Sequence, residues 1–441
     1  VPKQNGYSRP HPSMSTTRAL QLFQLLRQGA VLLTSVLLAK SGLSTAEIGA
    51  YEMLLYLGGV ATFFWVNGLL QAIPPVYGKL PDADRPAFFF NNFLVFSALA
   101  ILVFLALFFG RAWALPALTG FPDLPNYELF CWYLLLSLPA FPVEYVYLLR
   151  KKAWQIVGWG VFSFGAQLLV VGLPLWLGYD IRASFWGLVA LGGARWLWTA
   201  GLVLRVGRAA WRPDLIRRYL TFAGPLMLNV VVGNLILLFD SWLVGWWYRD
   251  EAVFAVFRYG AREFPLAQAL AGALGVAIIP RLIEDFHAGL ADLRAMSRKL
   301  FHVLFPAAIL LIFVAKPLFP VVFNPDFAAA APLFNIYLLM TASRLLLPNS
   351  IVLAKSEPRV ILWVGAAEFA AKVVFGLLGV CYWGLAGLAW SAVLAFWVEK
   401  ILLIIYLKKQ YGLALRDWLD ARWFGAYCLL LLAAYVGSLY F

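Results

Sequence analysis

Twelve stretches of 18 or more predominantly apolar residues follow one another through this 441-residue chain, and they set what it can fold into. They cover 19–39, 48–73, 87–109, 127–149, 154–177, 184–204, 219–247, 252–280, 300–323, 332–354, 360–381 and 384–407, with a candidate thirteenth at 423–441. A helix of about 20 residues crosses the hydrocarbon core of a bilayer. In lipid every backbone N–H and C=O must be paired internally, so unbroken runs of this length are helices. Charged residues make up only 13% of the chain, about half of what keeps a soluble domain's surface wet. Soluble enzyme, DNA-binding domain and disordered scaffold are excluded at this step. The fold class is an all-α polytopic membrane protein.

Charge sets the expected orientation. The net charge of +13 does not point to nucleic acid here, because basic residues of membrane proteins collect in cytoplasmic loops and face anionic headgroups. Of the 35 Lys and Arg, 23 fall in the N-terminal tail and the loops after even-numbered spans. Only Lys40, Arg111, Arg182 and Arg249 fall on the opposite side, and eight lie within spans. This split places the N-terminus in the cytoplasm of a bacterial or archaeal cell, with the chain in its cytoplasmic (inner) membrane. Run 19–39 carries Arg27 at its middle and no small-x-small cleavage site, so it reads as the first span rather than a signal peptide. Cys131, Cys381 and Cys428 all sit inside apolar runs and are expected as free, buried thiols, with no disulfide framework and no metal cluster.

No connection is long; the largest are 110–126, 205–218 and 281–299. None holds a nucleotide-binding domain, and there is no GxxxxGK[ST] loop, so the chain does not hydrolyse ATP itself. Segments 207–218 and 408–422 mix Trp and Leu with Arg and Lys and are expected along the cytoplasmic headgroups.

The chain also repeats itself. Phe185-Trp186-Gly187-Leu188-x-x-Leu191 opens span 6, and Tyr382-Trp383-Gly384-Leu385-x-x-Leu388 opens span 12. Span 2 starts Ile48-Gly49-Ala50 and ends at Pro75; span 8 starts Val253-Phe254-Ala255 and ends at Pro280. Two six-helix halves, 19–204 and 219–407, follow from this. Six is even, so both halves insert the same way, as parallel repeats. The expected organisation is a tail at 1–18, the first half, a basic linker at 205–218, the second half, and at 408–441 an amphipathic segment with the candidate thirteenth helix.

Three stretches carry a family likeness. One is Leu38-Ala39-Lys40-Ser41-Gly42-Leu43-Ser44-Thr45-Ala46-Glu47-Ile48-Gly49-Ala50-Tyr51. The second is Asp240 near the end of span 7 with the turn to Phe254-Ala255, where Phe254 stands in place of the family's usual glycine. The third is Trp383-Gly384-Leu385-Ala386-Gly387-Leu388-Ala389-Trp390-Ser391, running into Lys408-Lys409-Gln410-Tyr411-Gly412. In this order they resemble the Wzx-like lipid-linked oligosaccharide flippases, a polysaccharide-transporter branch of the multidrug/oligosaccharidyl-lipid/polysaccharide (MOP) superfamily. The resemblance implies a V-shaped bundle with a central cavity, working by alternating access. It implies a cargo of undecaprenyl-pyrophosphate oligosaccharide for surface polysaccharide or O-antigen synthesis. It implies contact with membrane lipids and, as partners, the polysaccharide polymerase and chain-length machinery. No cofactor is implied; a proton or Na+ gradient is the candidate energy source.

Charges at mid-bilayer cost at least ~2.5–3.5 kcal/mol each on insertion scales, so each needs a reason. Lys316 and Lys400 sit near span ends, where they can snorkel. Glu368 and Lys372 are spaced i,i+4 and read as a structural pair; Arg195 has no local partner. Arg27 sits among Gln24, Gln28 and other polar residues on span 1, Arg258 and Arg262 are i,i+4 on span 8, and Arg344 is central in span 10. Two readings stand for these four. They are either buried ion pairs that hold helices together, or the lining of a cationic cavity where forked guanidinium groups bind phosphate. In the family resembled, basic residues on spans 1 and 8 engage the pyrophosphate or acidic sugars. Glu52 lies at a depth matching Arg258 and could pair with it as a gate; Asp240 and Glu263 are further gating or coupling carboxylates. Two other functions compete with this one. A multidrug antiporter of the MATE type would export cations, which four arginines repel. A polytopic glycan polymerase or ligase needs large outer loops with catalytic groups, and the outer loops here are short. The chain is therefore read as a transporter, not an enzyme.

Overall fold

The computed structural model describes residues 14–440, apart from the side chains of Thr17, Asn229, Val232 and Leu237 and the surroundings of Gly233. Most of the expected tail, with Lys3 and Arg9, lies outside the described residues. The first half contains α1 (Thr16–Lys40), α2 (Thr45–Gly78), α3 (Arg85–Phe109), α4 (Arg111–Thr119), α5 (Tyr127–Ser137), α6 (Val143–Leu149), α7 (Ala153–Trp176) and α8 (Ile181–Val206). Next come α9 (Pro213–Tyr248), α10 (Glu251–Gly260), α11 (Pro265–Glu284) and α12 (Phe286–Val322). The remainder is α13 (Ala331–Leu338), α14 (Met340–Arg344), α15 (Pro348–Ala354), α16 (Pro358–Tyr411), α17 (Leu415–Trp418) and α18 (Ala421–Ser438). No strand occurs among the described residues. The all-α reading holds, and the chain is a multi-pass membrane protein.

Eleven helical stretches among the described residues are long and apolar enough to cross a membrane, the candidate thirteenth, Ala421–Ser438, among them. One of the eleven, α16, would be roughly 80 Å long if straight, more than twice the hydrocarbon core. It breaks at Gly384, whose φ of 59° and ψ of −140° suit only a residue without Cβ. Beyond the break the limbs press so close that a Cβ on Gly387 would land on the Gly379 carbonyl. Spans 11 and 12 are thus one helical hairpin. Dividing α16 in two and adding the 36-residue α9 brings the candidate spans among the described residues to thirteen.

Several spans are interrupted where proline removes a helical N–H and restrains the residue before it. Span 4 breaks at Leu138–Ala140, a 3₁₀ turn bearing Pro139, just ahead of Pro142. Span 10, its counterpart in the repeat, breaks before Pro348 and also at Leu339, where no proline stands. Span 8 breaks after Gly260: Ala261 leaves the helical region, Phe264 is extended, and Pro265 opens α11. Conversely, the expected loop 281–299 is mostly helical. Asp285 caps α12 by accepting from the Ala288 N–H, and Leu290, Leu293 and Ser297 form a buried face that extends span 9 towards the N-terminus.

The chain divides into two compact units. One holds the residues through Ser41, with Ala61–Leu115 and Asp123–Asn229; the other holds Gly42–Val60, Pro116–Pro122 and Val230–Phe441. In the first unit α1 packs on α6 and α7 through Phe23, Val143, Tyr147, Ile156 and Trp159. In the second, Gly49 brings the start of α2 against α10, where a Cβ would strike the Glu251 carbonyl; the rings of Tyr56 and Phe254 meet further along the same contact. All three cysteines are free, but only Cys131 is fully buried. Cys381 is exposed on α16, three residues before the break at Gly384, and Cys428 is half-buried on α18.

Candidate functional site

The second unit carries a connected set of charges inside its helices. Where Gly49 brings α2 onto α10, Glu52 lies one turn deeper and is buried. Its Oε2 is 3.5 Å from Arg258 Nε, a charge contact rather than an aligned hydrogen bond. The pairing expected from sequence is thus present in the geometry. The shared helical face of Arg258 and Arg262 is not. The helix ends at Gly260, so Arg262 leaves the face and turns back, its Nε donating to the Arg258 carbonyl at 3.3 Å and its guanidinium lying over Tyr259.

The break in span 8 also presents Glu263, and a break in span 10 presents Arg344. The two meet as a fork: Arg344 Nε and Nη2 each donate to a Glu263 carboxylate oxygen at 2.7 Å. The guanidinium also lies 4.3 Å from the centre of the Phe396 ring. Two interrupted helices are therefore tied at their weakest points by a bidentate, charge-assisted pair.

Asp240 on α9 is held differently from expectation. The i,i+4 pair of Glu368 and Lys372 does not form; Lys372, with 0% of its side chain exposed, reaches from α16 to Asp240 Oδ1 at 2.6 Å. Its Nζ also donates to Ser391 Oγ at 2.9 Å, and Tyr337 Oη–H donates to Asp240 Oδ2 at 3.1 Å. A fully buried ammonium needs a full negative charge and several acceptors, and this arrangement offers both where a neighbour on the same helix offers only one carboxylate. Glu368 stays buried, its Oε1 without a hydrogen-bond partner among the described residues. Lys400 does not snorkel: it pairs with Glu399 at 2.8 Å, and Glu399 also accepts from Asn349 Nδ2 at 2.6 Å. Acids and bases thus alternate through this unit's helices, and Arg258 and Arg344 are each matched to a carboxylate.

In the first unit Arg27 is exposed on α1 with Gln28, and Gln24 is half-buried. Glu144, buried on α6 just after the break in span 4, lies within electrostatic reach of Arg27. Sequence reading passed over it. The signal was there: a carboxylate two residues after Pro142 in an apolar run. Arg195 has partners that charge patterns do not reveal. Its Nη2 donates to the Ser163 carbonyl at 2.6 Å and to Gln167 Oε1 at 3.1 Å, both on α7.

Interrupted spans tied by paired charges are the geometry of a polytopic membrane bundle, and the comparisons supply its class. A solved structure titled "Lipid II flippase MurJ, inward closed conformation" superposes with a TM-score of 0.68 at 14% identity, covering 96% of this chain and 97% of that one. An inward-facing multidrug resistance MATE family transporter of the MOP superfamily gives 0.62 at 15% identity, covering 90% of this chain and 100% of that one. An outward-facing one gives 0.55 at 14% identity, covering 90% and 94%. No curated protein matches the chain by sequence. The fold is that of MOP-superfamily transporters. The family model described as "Lipid II flippase MurJ" matches residues 184–441, more than half of the sequence, and the chain belongs to that family. It is a membrane transporter of the flippase kind, not an enzyme. The family matched, MurJ, lies in the superfamily read from sequence.

Proposed function

We propose that this protein moves a lipid-linked, pyrophosphate-bearing glycan from the cytoplasmic to the outer leaflet of the cytoplasmic membrane by alternating access. The observation that carries the reading is the MurJ family match over 184–441, which includes Arg258, Glu263 and Arg344. Lipid II, the cargo in the family's name, is the first to assay. The stretches that resemble Wzx-like flippases make an undecaprenyl-pyrophosphate O-antigen or other surface-polysaccharide unit the second, with polymerase and chain-length machinery as partners. Arg27, Gln24, Gln28, Arg258, Arg262 and Arg344 are the proposed cargo contacts, because guanidinium forks bind phosphate oxygens in pairs. A proton or Na+ ion arriving at Asp240 or Glu263 would release Lys372 or Arg344, which is how a gradient would act on these helices. The 23 basic residues on one side support a cytoplasmic N-terminus.

The assay is translocation of fluorescent lipid II, and separately of an undecaprenyl-pyrophosphate oligosaccharide, in proteoliposomes holding the full chain. Protein-dependent arrival of one of them in the far leaflet is expected; failure of both, with the protein folded, rejects the proposal. Glu52 and Arg258 are the proposed gate. Because Arg258 is 37% exposed, their attraction is worth about 1 kcal/mol, or roughly fivefold in rate. Glu52→Arg and Arg258→Glu should each lose at least that much. The double swap should recover part of it, and a swap as slow as the worse single variant rules the gate out.

A further inference from the structure

At one end of the second unit a cavity of ≈ 980 Å³ opens between the start of α12, the segment after α16, and the start of α18. We infer that it is a binding site for the phosphate headgroup of an anionic membrane lipid. Its lining places Arg294, Arg416 and Arg422 around one space, with His287 and Trp423 at its walls. On α12 the lining residues His287, Leu290, Ala291 and Arg294 follow a 3,4 spacing and so form one helical face.

Positive charge is in excess. None of the three arginines has an ion-pair partner among the described residues, and the buried acid of the lining, Asp420, is held 3.4 Å from Arg298 Nη1, so that pair cancels. Asp417, whose Oδ2 accepts from the Ala414 N–H at 2.7 Å, keeps its charge, which leaves three arginines against one carboxylate. The space is also preformed. Arg298–Asp420 fastens the segment to α12, and His302 Nδ1 meets Tyr427 Oη at 2.9 Å while Phe305 and Tyr427 stack, fastening α18. Three forked cations around one rigid cavity suit the oxygens of a phosphate. The volume lies in the usual range for small-ligand sites.

Its depth favours a lipid over a soluble phosphate. The span Ala421–Ser438 begins in the lining, and the apolar part of α12 begins about two turns past Arg294, so the cavity lies at headgroup level. Trp423 is 47% exposed there, as interfacial tryptophans are, and Leu430, on the same face of α18 and deeper in the bilayer, is 55% exposed to receive an acyl chain. Anionic lipids are concentrated on the cytoplasmic side, where the positive-inside distribution puts this end. The inference rests on that membrane placement and not on the identity of the cargo.

The test is native mass spectrometry of the full chain with phosphatidylglycerol, phosphatidylcholine and inorganic phosphate. Each basic group near an anionic surface contributes about fivefold, so Arg294→Gln/Arg416→Gln/Arg422→Gln should weaken phosphatidylglycerol retention roughly 100-fold. Each single variant should lose about fivefold, which keeps the test decisive if the triple variant does not fold. The triple lysine variant should stay within about tenfold of the native protein, because the charge remains. Phosphatidylcholine should bind far more weakly, and millimolar inorganic phosphate should not displace the lipid. Unchanged phosphatidylglycerol retention in the glutamine variants overturns the site. Equal retention of phosphatidylcholine, or displacement by inorganic phosphate, overturns the anionic-lipid assignment.

Discussion

Replacing Lys372 with methionine should destabilise the protein by about 3–5 kcal/mol, the usual result of removing one partner from a fully buried ion pair. The side chain has no exposed surface, so water cannot replace it beside Asp240. The carboxylate would keep only the Tyr337 hydroxyl, and Ser391 would lose its donor. Asp240→Asn should be similarly damaging, because it leaves a fully buried ammonium with neutral acceptors such as Ser391 Oγ and no counter-charge. The double variant Asp240→Leu/Lys372→Met should lie within about 1–2 kcal/mol of the native protein, since it removes both desolvation costs together. Tyr337→Phe removes one hydrogen bond to a charged group and should cost about 1.5–3 kcal/mol. Chemical unfolding in mixed micelles reads all four. Losses in the double variant equal to the sum of the singles would mean that the two residues do not act as a pair.

That pair marks the limit of reading charges from sequence. An ionisable residue in a 20-residue apolar run must have a partner, so Arg27, Asp240, Arg258, Arg344 and Lys372 announce themselves. Which partner each takes depends on helices that are far apart in the chain. Lys372 finds Asp240 across 132 positions rather than Glu368 across four. Glu52 and Arg258 were legible because the repeat supplied a second ruler, placing Ile48-Gly49 and Val253-Phe254 in register. The close approach at Gly49 is what that register looks like in space. Arg195 was illegible because a backbone carbonyl and an amide satisfy it, and neither leaves a charge pattern.

The fold divides along the same line. Span count and helical class follow from hydropathy, which lipid enforces residue by residue. Breaks inside spans are weaker signals. Pro265 and Pro348 stand in plain view, yet proline also occurs inside intact membrane helices here, as Pro174 does in α7 and Pro225 in α9. A break follows when the freed backbone and a nearby charge gain from it, as with Glu263 beside Pro265. The Trp-Gly-Leu repeat shows the same ambiguity. Gly187 lies inside α8, where a Cβ would come within 2.9 Å of Val170; Gly384 turns the chain back on itself. One motif serves close packing in one half and a reversal in the other.

Arg344→Ala should cost about 3 kcal/mol and should loosen two places at once. The pair it makes with Glu263 is less buried than that of Lys372, with side-chain exposures of 26% and 13%, so the loss falls at the lower end of the buried-pair range. Its geometry raises the stakes beyond stability. Glu263 stands in the gap between α10 and α11, and Arg344 closes α14 ahead of the gap before α15. Neither gap has an unbroken helical backbone, so the fork holds both ends. Hydrogen exchange should therefore rise at 261–264 and 345–347 in the variant while the midsections of α11 and α12 stay protected. Arg344→Lys separates charge from shape: it keeps the cation but loses the second parallel bond and the planar contact with Phe396, and should cost about 1–2 kcal/mol. If the lysine variant matches the native protein, charge alone holds the gaps and the fork is incidental. If it matches alanine, position rather than charge is what Glu263 reads. Glu263→Gln supplies the reciprocal case. It leaves the guanidinium in place without its counter-charge, and exchange should rise at the same two gaps, because the bond they share belongs to neither helix alone.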